Sequence, residues 1–325
     1  MKLLRDADID PAPLSGKRVA ILGFGNQGRA QALNLRDSGI EVIVGLRESS
    51  GSFAKVADDG LASANIEAAA AGADLVMLLA PDETLGALYR AVEPHLRAGA
   101  ALGFSHGLAI RFGLIAPRPD LDVILVAPKG PGSALRSLFV AGGGMAALYA
   151  IGQDATGTAE PLALAYGRAI GCARVGLLKS SFAEECEADL FNEAAVVWGA
   201  VPEILIAGFD TLVEAGVSEE VAYMECVGEL KLLAELIETR GMAAMREAIS
   251  NTAEFGAVTG GPRIVDDRVR AEMRAILASI RSGRFAAALA DEEASGYPLL
   301  RRARASAAAL PVENARRGLI RLLGN

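Results

Sequence analysis

The stretch between residues 17 and 35 limits the possible folds most strongly. Lys17–Leu22 is a short apolar run typical of a buried strand, and it leads through a G-x-G-x-x-G turn into a helix-forming segment. In a strand–turn–helix unit that binds a dinucleotide, Gly23 permits the tight turn, Gly25 lets the backbone approach the pyrophosphate, and Gly28 allows close helix packing. The free N–H groups at the helix start also favour phosphate. This order predicts a dinucleotide site, and a purely structural glycine turn is the alternative.

The end of the next strand, Glu41–Leu46, is where such a fold reads the adenosine ribose. An NAD enzyme usually places an acidic residue there, whereas this chain places Arg47, followed by Ser50 and Ser52. A cation with nearby hydroxyls favours a 2′-phosphate, and hence NADPH. Glu48 would repel that phosphate unless its side chain turns to solvent, and an ordinary polar loop is the remaining alternative.

Strand-like segments continue through the first half of the chain and predict a doubly wound α/β fold with a parallel sheet. These apolar segments, each followed by polar or glycine-rich residues, are Leu75–Leu79, Ala101–Phe104, Val123–Ala127 and Ala146–Ile151. Ligands bind beyond the carboxyl ends of the strands in such sheets, which is where His106, Lys129 and Gly132 fall. His106 has either a functional role or only a structural hydrogen bond. Lys129 has either a functional role or is only a solvated lysine in a loop.

Helical periodicity replaces the strand signals after residue 178. The predicted helices are 185–207, 209–215, 219–238, 242–250 and 267–281. We therefore predict two domains, a nucleotide-binding domain at 1–180 and an all-α domain at 181–325. Ser180 or Ser181 is a natural N-cap, and the acids at 184, 185 and 187 are accounted for by the positive end of the helix dipole.

Two pairs of acids lie deeper in the helical half, and the helix dipole does not account for them. Asp189 and Glu193 are four residues apart among apolar neighbours, and Glu225 and Glu229 repeat that spacing. Like charges at this spacing repel each other by about 0.2–0.5 kcal/mol. A divalent cation would reconcile four carboxylates, and all-oxygen ligation favours Mg²⁺ or Mn²⁺ over zinc. A solvated helix face is the alternative.

The overall composition excludes several classes of protein. A formal net charge of −8 without a basic tail argues against a nucleic-acid or anionic-membrane binder. Cys172, Cys186 and Cys226 have no CxxC spacing and predict buried thiols in a reducing compartment. The polar start and the lack of an apolar run near ~20 residues predict neither a signal peptide nor a membrane span. We expect a cytoplasmic protein.

Seven motifs, taken in order, resemble those of the ketol-acid reductoisomerase family, also called acetohydroxyacid isomeroreductase. They are Gly23–Gly28, Gly45-Leu-Arg47, Ser105-His-Gly107, Val126-Ala-Pro-Lys-Gly-Pro-Gly132, Asp189-Leu-Phe-Asn-Glu193, Glu225-Cys-Val-Gly-Glu229-Leu-Lys231 and Ile249–Glu254. The resemblance covers nearly the whole chain, whose length is similar to that of the shorter, bacterial class. It implies an NADPH-dependent Rossmann domain, a knotted helical domain, two Mg²⁺ ions and a homodimer with shared active sites that can associate further. The implied substrate is 2-acetolactate or 2-aceto-2-hydroxybutyrate.

The same resemblance assigns roles to individual residues. Asp189 would bridge the metals and Glu193 would complete its side of the site, while the partner subunit would supply Glu225, Glu229 and the substrate-contacting Ser250. His106 matches the family's active-site histidine, and Lys129 lies in its catalytic loop. The matching cofactor contacts are Phe24, Gly25, Asn26, Gln27, Arg47, Ser50, Ser52, Asp82, Glu83, Thr84, Leu85 and Gly132. For proton transfer during the migration, Glu229 or a metal-bound water is the best candidate.

Three residues beside the metal acids depart from the family pattern. Asn192 replaces a glycine, Ala194 replaces a glutamine and Gly228 replaces a histidine. Residues that orient metal ligands typically matter about 10- to 100-fold. A divergent paralogue of secondary metabolism, acting on another 2-keto or acyloin substrate, is therefore an alternative, as is a non-catalytic NADP-binding protein.

Overall fold

The computed structural model describes residues 2–323 and divides into two compact units. One unit extends to Ala188 and the other begins at Asp189. The division thus falls inside a helix, a few residues beyond the boundary at 180 that the sequence predicts. The predicted fold class is confirmed, because an α/β unit precedes a helical one.

The first unit is built on one sheet, whose nine strands in the described residues have the order β1-β9-β8-β7-β6-β5-β2-β3-β4. The strands are β1 (Leu3–Leu4), β2 (Arg18–Leu22), β3 (Glu41–Leu46), β4 (Ala62–Asn65), β5 (Leu75–Leu78), β6 (Ala101–Phe104), β7 (Asp122–Pro128), β8 (Ala147–Gln153) and β9 (Leu177–Lys179). The six strands from β7 to β4 are parallel to their neighbours in that order. The carboxyl ends of β2, β5, β6 and β7 therefore lie along one edge.

The helices cover both faces of this sheet and form the whole of the second unit. Those before residue 180 are α1 (Asn26–Asp37), α2 (Phe53–Asp58), α3 (Ile66–Ala70), α4 (Leu85–Val92), α5 (Leu108–Arg111), α6 (Gly132–Val140) and α7 (Ala159–Ala169). Those after it are α8 (Phe182–Ala195), α9 (Ala200–Glu214), α10 (Glu219–Tyr223), α11 (Leu230–Glu247), α12 (Asn251–Ile264), α13 (Asp267–Arg281), α14 (Arg284–Ala294), α15 (Pro298–Ala308) and α16 (Pro311–Leu323). A π-helical turn, Met224–Gly228, separates α10 from α11.

The sheet is mixed, because two antiparallel pairs accompany the predicted parallel ones. Strand β8 runs antiparallel to β7, and β1 runs antiparallel to β9. Helix α6 packs on α1 beyond the end of β7, and the chain then enters β8 at Ala147, which pairs with Pro128. A strand parallel to β7 would have to begin beside the start of β7, which requires a crossover connection. The chain does not return there, so β8 runs antiparallel to β7.

The central strand β2 shows why an unbroken apolar run forms a strand here. Its Val19 and Ile21 belong to the core on one face of the sheet, whereas Ala20 and Leu22 belong to the core on the other face. All four side chains are fully buried. Successive residues of a strand point to opposite faces, so a strand covered by helices on both sides is apolar throughout.

The sequence predicts one helix from residue 185 to 207, but the structure ends α8 at Ala195 and starts α9 at Ala200. A turn occupies the gap, and a Cβ at Gly199 would lie 2.1 Å from the carbonyl oxygen of Ala194. Only glycine allows this close approach, which interrupts the helical ladder.

The second unit exposes much apolar surface. One buried core cluster there consists of Phe209, Ala222, Val312 and Ala315, whereas Trp198 and Phe255 are 62% and 70% exposed. By length and composition alone, the helical stretch Phe182–Glu214 is apolar enough to cross a membrane, which the sequence did not predict, and only 6% of its most apolar window is buried. One such stretch is weak evidence for a span, since core helices of soluble proteins satisfy the same criterion.

Candidate nucleotide-binding and active site

The three motif glycines have different structural roles. Gly23 has φ of 108°, and a Cβ there would lie 2.6 Å from the carbonyl oxygen of Leu79, while a Cβ at Gly28 would lie 2.3 Å from the carbonyl oxygen of Gly23. The fold itself therefore requires both. No atom of residues 2–323 outside its chain neighbours lies within 4 Å of a Cβ at Gly25, the residue just before α1. That open space at the start of a helix fits a pyrophosphate group.

We expect Gly25→Ala to weaken cofactor binding without loss of stability. The added methyl group meets no protein atom but occupies the space that the pyrophosphate requires. The Kd for NADPH should rise about 10-fold or more, corresponding to at least about 1.4 kcal/mol, while the melting temperature stays within about 2 °C. Gly28→Ala is the contrasting variant, because its methyl group meets backbone and should lower the melting temperature itself. Equal melting losses in both variants would contradict this division of roles.

Several residues predicted to contact the cofactor also fasten the glycine turn to the start of α6. The Asn26 side chain accepts a hydrogen bond from the Ser133 N–H at 2.9 Å, and a Cβ at Gly132 would lie 2.1 Å from the Asn26 carbonyl oxygen. Gln27 Nε2 donates to the Gly130 carbonyl at 2.8 Å. Phe24 is buried in the core, so its backbone is what it can present to a cofactor.

A pocket of about 330 Å³ lies beyond the end of β3, where the fold places the adenosine ribose. It is lined by Leu46, Arg47, Glu48, Ser49, Asn65, Ile66 and Glu67. Arg47 is there as predicted, and so is Glu48. Ser50 and Ser52 are not in the lining; the Ser50 hydroxyl instead accepts a hydrogen bond from the Ser52 N–H at 3.2 Å. Sequence reasoning missed Asn65 and Glu67, because β4 carries no apolar pattern that would mark its end.

The predicted contacts at 82–85 form a short 3₁₀ turn and the start of α4. Thr84 donates its hydroxyl hydrogen to the Pro81 carbonyl at 2.7 Å, and Leu85 is buried in the core. Glu83 is half-buried. The Asp82 carboxylate contacts another site residue, His106.

His106 follows β6 at the carboxyl edge of the sheet, with Asp82 and Cys186 beside its ring. Its Nδ1 lies 3.1 Å from Asp82 Oδ2. Burial by itself lowers the pKa of His106. Interactions with Asp82 and Cys186 and the charges of Asp82 and Glu185 oppose it and hold the pKa well above its ordinary value. The protonated form is therefore more favoured than in an ordinary histidine, which suits a group that donates a proton.

We expect the pair of His106 and Asp82 to make stability depend on pH. Since the folded pKa of His106 is raised, its contribution is fully present below the unfolded pKa of about 6.5 and is lost as pH rises through the folded pKa. Thermal melts between pH 6 and 9 should show the wild type losing stability relative to Asp82→Asn as pH rises. His95→Gln, which alters the other of the two histidines, is the control and should keep the wild-type profile. A flat difference between wild type and Asp82→Asn would contradict the expectation.

Glu185 is a site residue that the sequence analysis missed. It was attributed to the helix dipole, but its side chain is only 1% exposed. One carboxylate oxygen accepts a hydrogen bond from Lys129 Nζ at 2.7 Å, and the other accepts one from the Gly107 N–H at 2.8 Å. The predicted Lys129 is thus paired with a buried carboxylate that also fixes the loop after His106. A carboxylate at this depth requires such partners, which no periodicity reveals.

The acids predicted as metal ligands lie in the second unit. Asp189 is half-buried and Glu193 exposed on α8, while Glu225 lies in the π-helical turn and Glu229 ends it. Among residues 2–323, no group of three or more His, Cys, Asp or Glu residues is placed to hold a metal ion. One chain by itself therefore offers no complete metal site in the part described, and the assignment of Glu225 and Glu229 to a partner subunit stays a prediction.

Ser250 is the N-cap of α12, where its hydroxyl accepts a hydrogen bond from the Ala253 N–H at 3.2 Å. The residue is exposed. Its local role in starting the helix is therefore evident, whereas its predicted contact with substrate is not tested by a single chain.

The glycine turn, the ribose pocket and the polar cluster around His106 lie in one α/β unit, which defines a Rossmann-type domain for a nicotinamide dinucleotide. Two solved structures share this fold at low identity. One is a semialdehyde dehydrogenase NAD-binding protein from Cupriavidus necator, with 21% identity, a TM-score of 0.63, and coverage of 82% of this chain and 99% of that one. The other is a pyrroline carboxylate reductase from Plasmodium falciparum, with 13% identity, a TM-score of 0.54, and coverage of 83% and 98%.

More specific matches place the chain in one family. Residues 13–176 match the model of the acetohydroxy acid isomeroreductase NADPH-binding domain, and residues 182–323 match that of the ketol-acid reductoisomerase C-terminal domain. A solved NADH-preferring ketol-acid reductoisomerase from an uncultured archean is 40% identical, with a TM-score of 0.96 and coverage of 99% of both chains. The chain belongs to the ketol-acid reductoisomerase family, as the motifs in its sequence predict.

Proposed function

We propose that the protein is a cytoplasmic ketol-acid reductoisomerase of branched-chain amino-acid biosynthesis. It would convert 2-acetolactate or 2-aceto-2-hydroxybutyrate into a 2,3-dihydroxy acid with NADPH and Mg²⁺. The observation that carries this proposal is the ion pair of Lys129 with the buried Glu185, whose other carboxylate oxygen accepts the Gly107 N–H beside His106. Two cationic groups are thereby held at the sheet edge where a Rossmann domain presents its nicotinamide.

The residues of the first unit fit a nicotinamide dinucleotide. Gly25 leaves open space before α1 for the pyrophosphate, and the pocket beyond β3 accepts the ribose with Arg47 beside it. Arg47 favours a 2′-phosphate, whereas Glu48 and Glu67 in the same lining oppose it. We assign NADPH as the preferred cofactor because Arg47 and Glu48 are both exposed. The Glu48 carboxylate can therefore point to solvent while the Arg47 guanidinium binds the 2′-phosphate.

The donor set proposed for the metals fits Mg²⁺ in kind. Asp189 and Glu193 offer carboxylate oxygens on one helix, and Glu225 and Glu229 offer the same chemistry from another segment. When bound, the two ions would stabilise the negative charge on neighbouring substrate oxygens during alkyl migration, and the nicotinamide would supply the hydride. We assign Glu225, Glu229 and Ser250 to the partner subunit.

Residues of the chain itself would stabilise negative charge and transfer protons. His106, whose pKa is raised, presents an imidazolium that can donate a proton to a developing alkoxide. Lys129 places an ammonium group on the neighbouring loop, oriented by Glu185. Glu229, if supplied by the partner, would accept the substrate hydroxyl proton as the migration begins.

A homodimer, able to associate further, is part of this proposal. Trp198, Met242 and Phe255 are among the large apolar side chains exposed on the second unit. Large apolar side chains left exposed in this number support an interface on this unit. A second copy covering it would also bring Glu225 and Glu229 of one subunit to the other.

A steady-state assay with 2-acetolactate, NADPH and Mg²⁺ tests the function. Oxidation of NADPH at 340 nm together with formation of the 2,3-dihydroxy acid is the expected result. A preparation that binds NADPH yet oxidises it no faster than the His106→Asn variant would refute the proposal. Sedimentation of the same preparation should give the mass of a dimer or a larger oligomer.

We expect Arg47→Asp to reverse the cofactor preference. The substitution removes the cation from the ribose pocket and adds a third carboxylate to Glu48 and Glu67. The ratio of kcat/KM for NADPH to that for NADH should fall about 100-fold, since one charge-assisted contact is worth about 1.5–3 kcal/mol. Lys55→Asp on α2 is the control for a change of net charge. An unchanged ratio would show that Arg47 does not read the 2′-phosphate.

A second candidate function is the same chemistry on another 2-keto or acyloin substrate. It is favoured by Asn192 and Ala194, which flank Glu193 on α8, and by Gly228, which precedes Glu229. Side chains at these positions would orient the metal acids. A substrate panel decides the matter, because ordinary efficiency with acetolactate and no better substrate would remove this candidate.

A further inference from the structure

A chain of hydrogen bonds with a buried centre lies in the first unit among residues that the mechanism above does not use. Both amide hydrogens of Gln31, on α1, are engaged: Nε2 donates to Gln27 Oε1 at 3.0 Å and to Ser105 Oγ at 2.9 Å. Its Oε1 accepts the hydroxyl hydrogen of Tyr166 at 2.6 Å. Ser105 in turn donates to the Val126 carbonyl at 2.9 Å. Gln31 and Tyr166 are fully buried.

The two outer ends of this chain lie next to the proposed active-site residues. Gln27 belongs to the glycine turn, and its Nε2 donates to the carbonyl of Gly130, which follows Lys129. Ser105 directly precedes His106. Gln27 thus joins the dinucleotide turn directly to the loop of Lys129, whereas Gln31 joins the turn to the loop of His106.

The direction of every bond in this network is fixed. At its two ends, the carbonyls of Gly130 and Val126 accept hydrogen bonds from Gln27 Nε2 and from the Ser105 hydroxyl. Gln27 Oε1 and the lone pairs of Ser105 Oγ are therefore the atoms that face Gln31 as acceptors. Gln31 must then donate to both, which leaves its own oxygen for the Tyr166 hydroxyl. Burial raises the pKa of Tyr166 well above its ordinary value, so the phenol remains a donor. Buried networks with all members satisfied are rigid, and displacement of one member disturbs the others.

We propose that Gln31 is a positioning residue that couples dinucleotide binding at the glycine turn to the placement of His106. The inference rests on the proposed function for the role of His106. A phosphate that draws the turn toward itself moves Gln27, and Gln31 transmits that movement to Ser105. The site is thereby assembled when the cofactor is present.

Gln31→Met tests the coupling, and Asn34→Leu is a matched control. Asn34 is an equally buried amide on the same helix, but it donates to Ile170 at 3.0 Å and accepts from Arg136 at 2.8 Å, away from the glycine turn. Both variants should melt at a lower temperature. Gln31→Met should also lower kcat and raise the KM for NADPH, each about 10-fold, while the control stays within about twofold. Equal kinetic changes in the two variants would reduce Gln31 to a structural residue and overturn the proposal.

Tyr166→Phe keeps the test decisive if Gln31→Met does not fold. It removes one bond to the Gln31 oxygen and leaves both donated bonds in place. The expected result is a loss of kcat of about 3-fold with a matching rise in the KM for NADPH. Wild-type values for both constants would overturn the proposal.

Hydrogen–deuterium exchange separates this inference from the proposed reaction. The probe is 2′-phospho-ADP-ribose, which occupies the glycine turn but carries no nicotinamide. It should slow exchange around residues 23–28 and 129–133, which contact each other directly, in the wild type and in both variants. At residues 105–108 it should slow exchange in the wild type and in Asn34→Leu but not in Gln31→Met. Equal protection of residues 105–108 in Gln31→Met would overturn the coupling, whether or not acetolactate is turned over.

Discussion

Glu193→Gln is expected to lower kcat for 2-acetolactate by about 10³-fold. Stabilisation of substrate oxyanions by divalent ions is worth several kcal/mol, and each loss of about 1.4 kcal/mol slows a reaction tenfold. The substitution keeps the volume of the side chain and removes the charge that a metal ligand needs. Because Glu193 is exposed on α8, the melting temperature without metal should not fall.

Glu184→Gln is the matched control for this prediction. Glu184 is also an exposed acid of α8, and it accepts a hydrogen bond from the Ser180 hydroxyl at 2.7 Å. It should retain wild-type kcat and wild-type Mg²⁺ binding by calorimetry. Titration of Mg²⁺ into Glu193→Gln should show weakened binding. Unchanged binding together with unchanged kcat would exclude Glu193 from the metal site.

The first unit could be predicted closely because its sequence signals are local. The apolar run of β2, the glycine turn and the start of α1 follow one another without interruption. Close contacts require glycine at positions 23 and 28, and Gly25 leaves space for a phosphate. The direction of β8 could not be predicted. It depends on where α6 packs, and that is a tertiary contact with α1 that no window of sequence contains.

The polar cluster could be predicted only in part. His106 and Lys129 were identified because they follow buried strands, whereas Glu185 lies in a helix start where any acid is favoured by the dipole. Its burial depends on Gly107, where a Cβ would lie 2.2 Å from the Phe182 carbonyl oxygen, so that the helix start sits directly on the loop of His106. Gln31 was missed for a similar reason, since a glutamine inside a helix carries no pattern.

Lys129→Met is expected to reduce both stability and turnover, and a second substitution separates the two. Loss of the ammonium leaves the Glu185 carboxylate buried without its cation, which typically costs about 3–5 kcal/mol. Because the Lys129 side chain is 32% exposed and water can reach it, we expect the lower end, about 3 kcal/mol, in urea unfolding. Turnover of acetolactate should fall about 10²- to 10³-fold, as for loss of an electrostatic donor.

The double variant Lys129→Met/Glu185→Gln removes both charges. The amide oxygen at position 185 can still accept the Gly107 N–H, so the loop after His106 keeps its anchor. Stability should return to within about 1 kcal/mol of the wild type, because no unpaired charge remains buried. Turnover should stay as low as in Lys129→Met, since the cation that faces the substrate is still missing. Recovery of turnover along with stability would mean that Lys129 only holds the fold, and the reaction would then depend on His106 as the single cation of this edge.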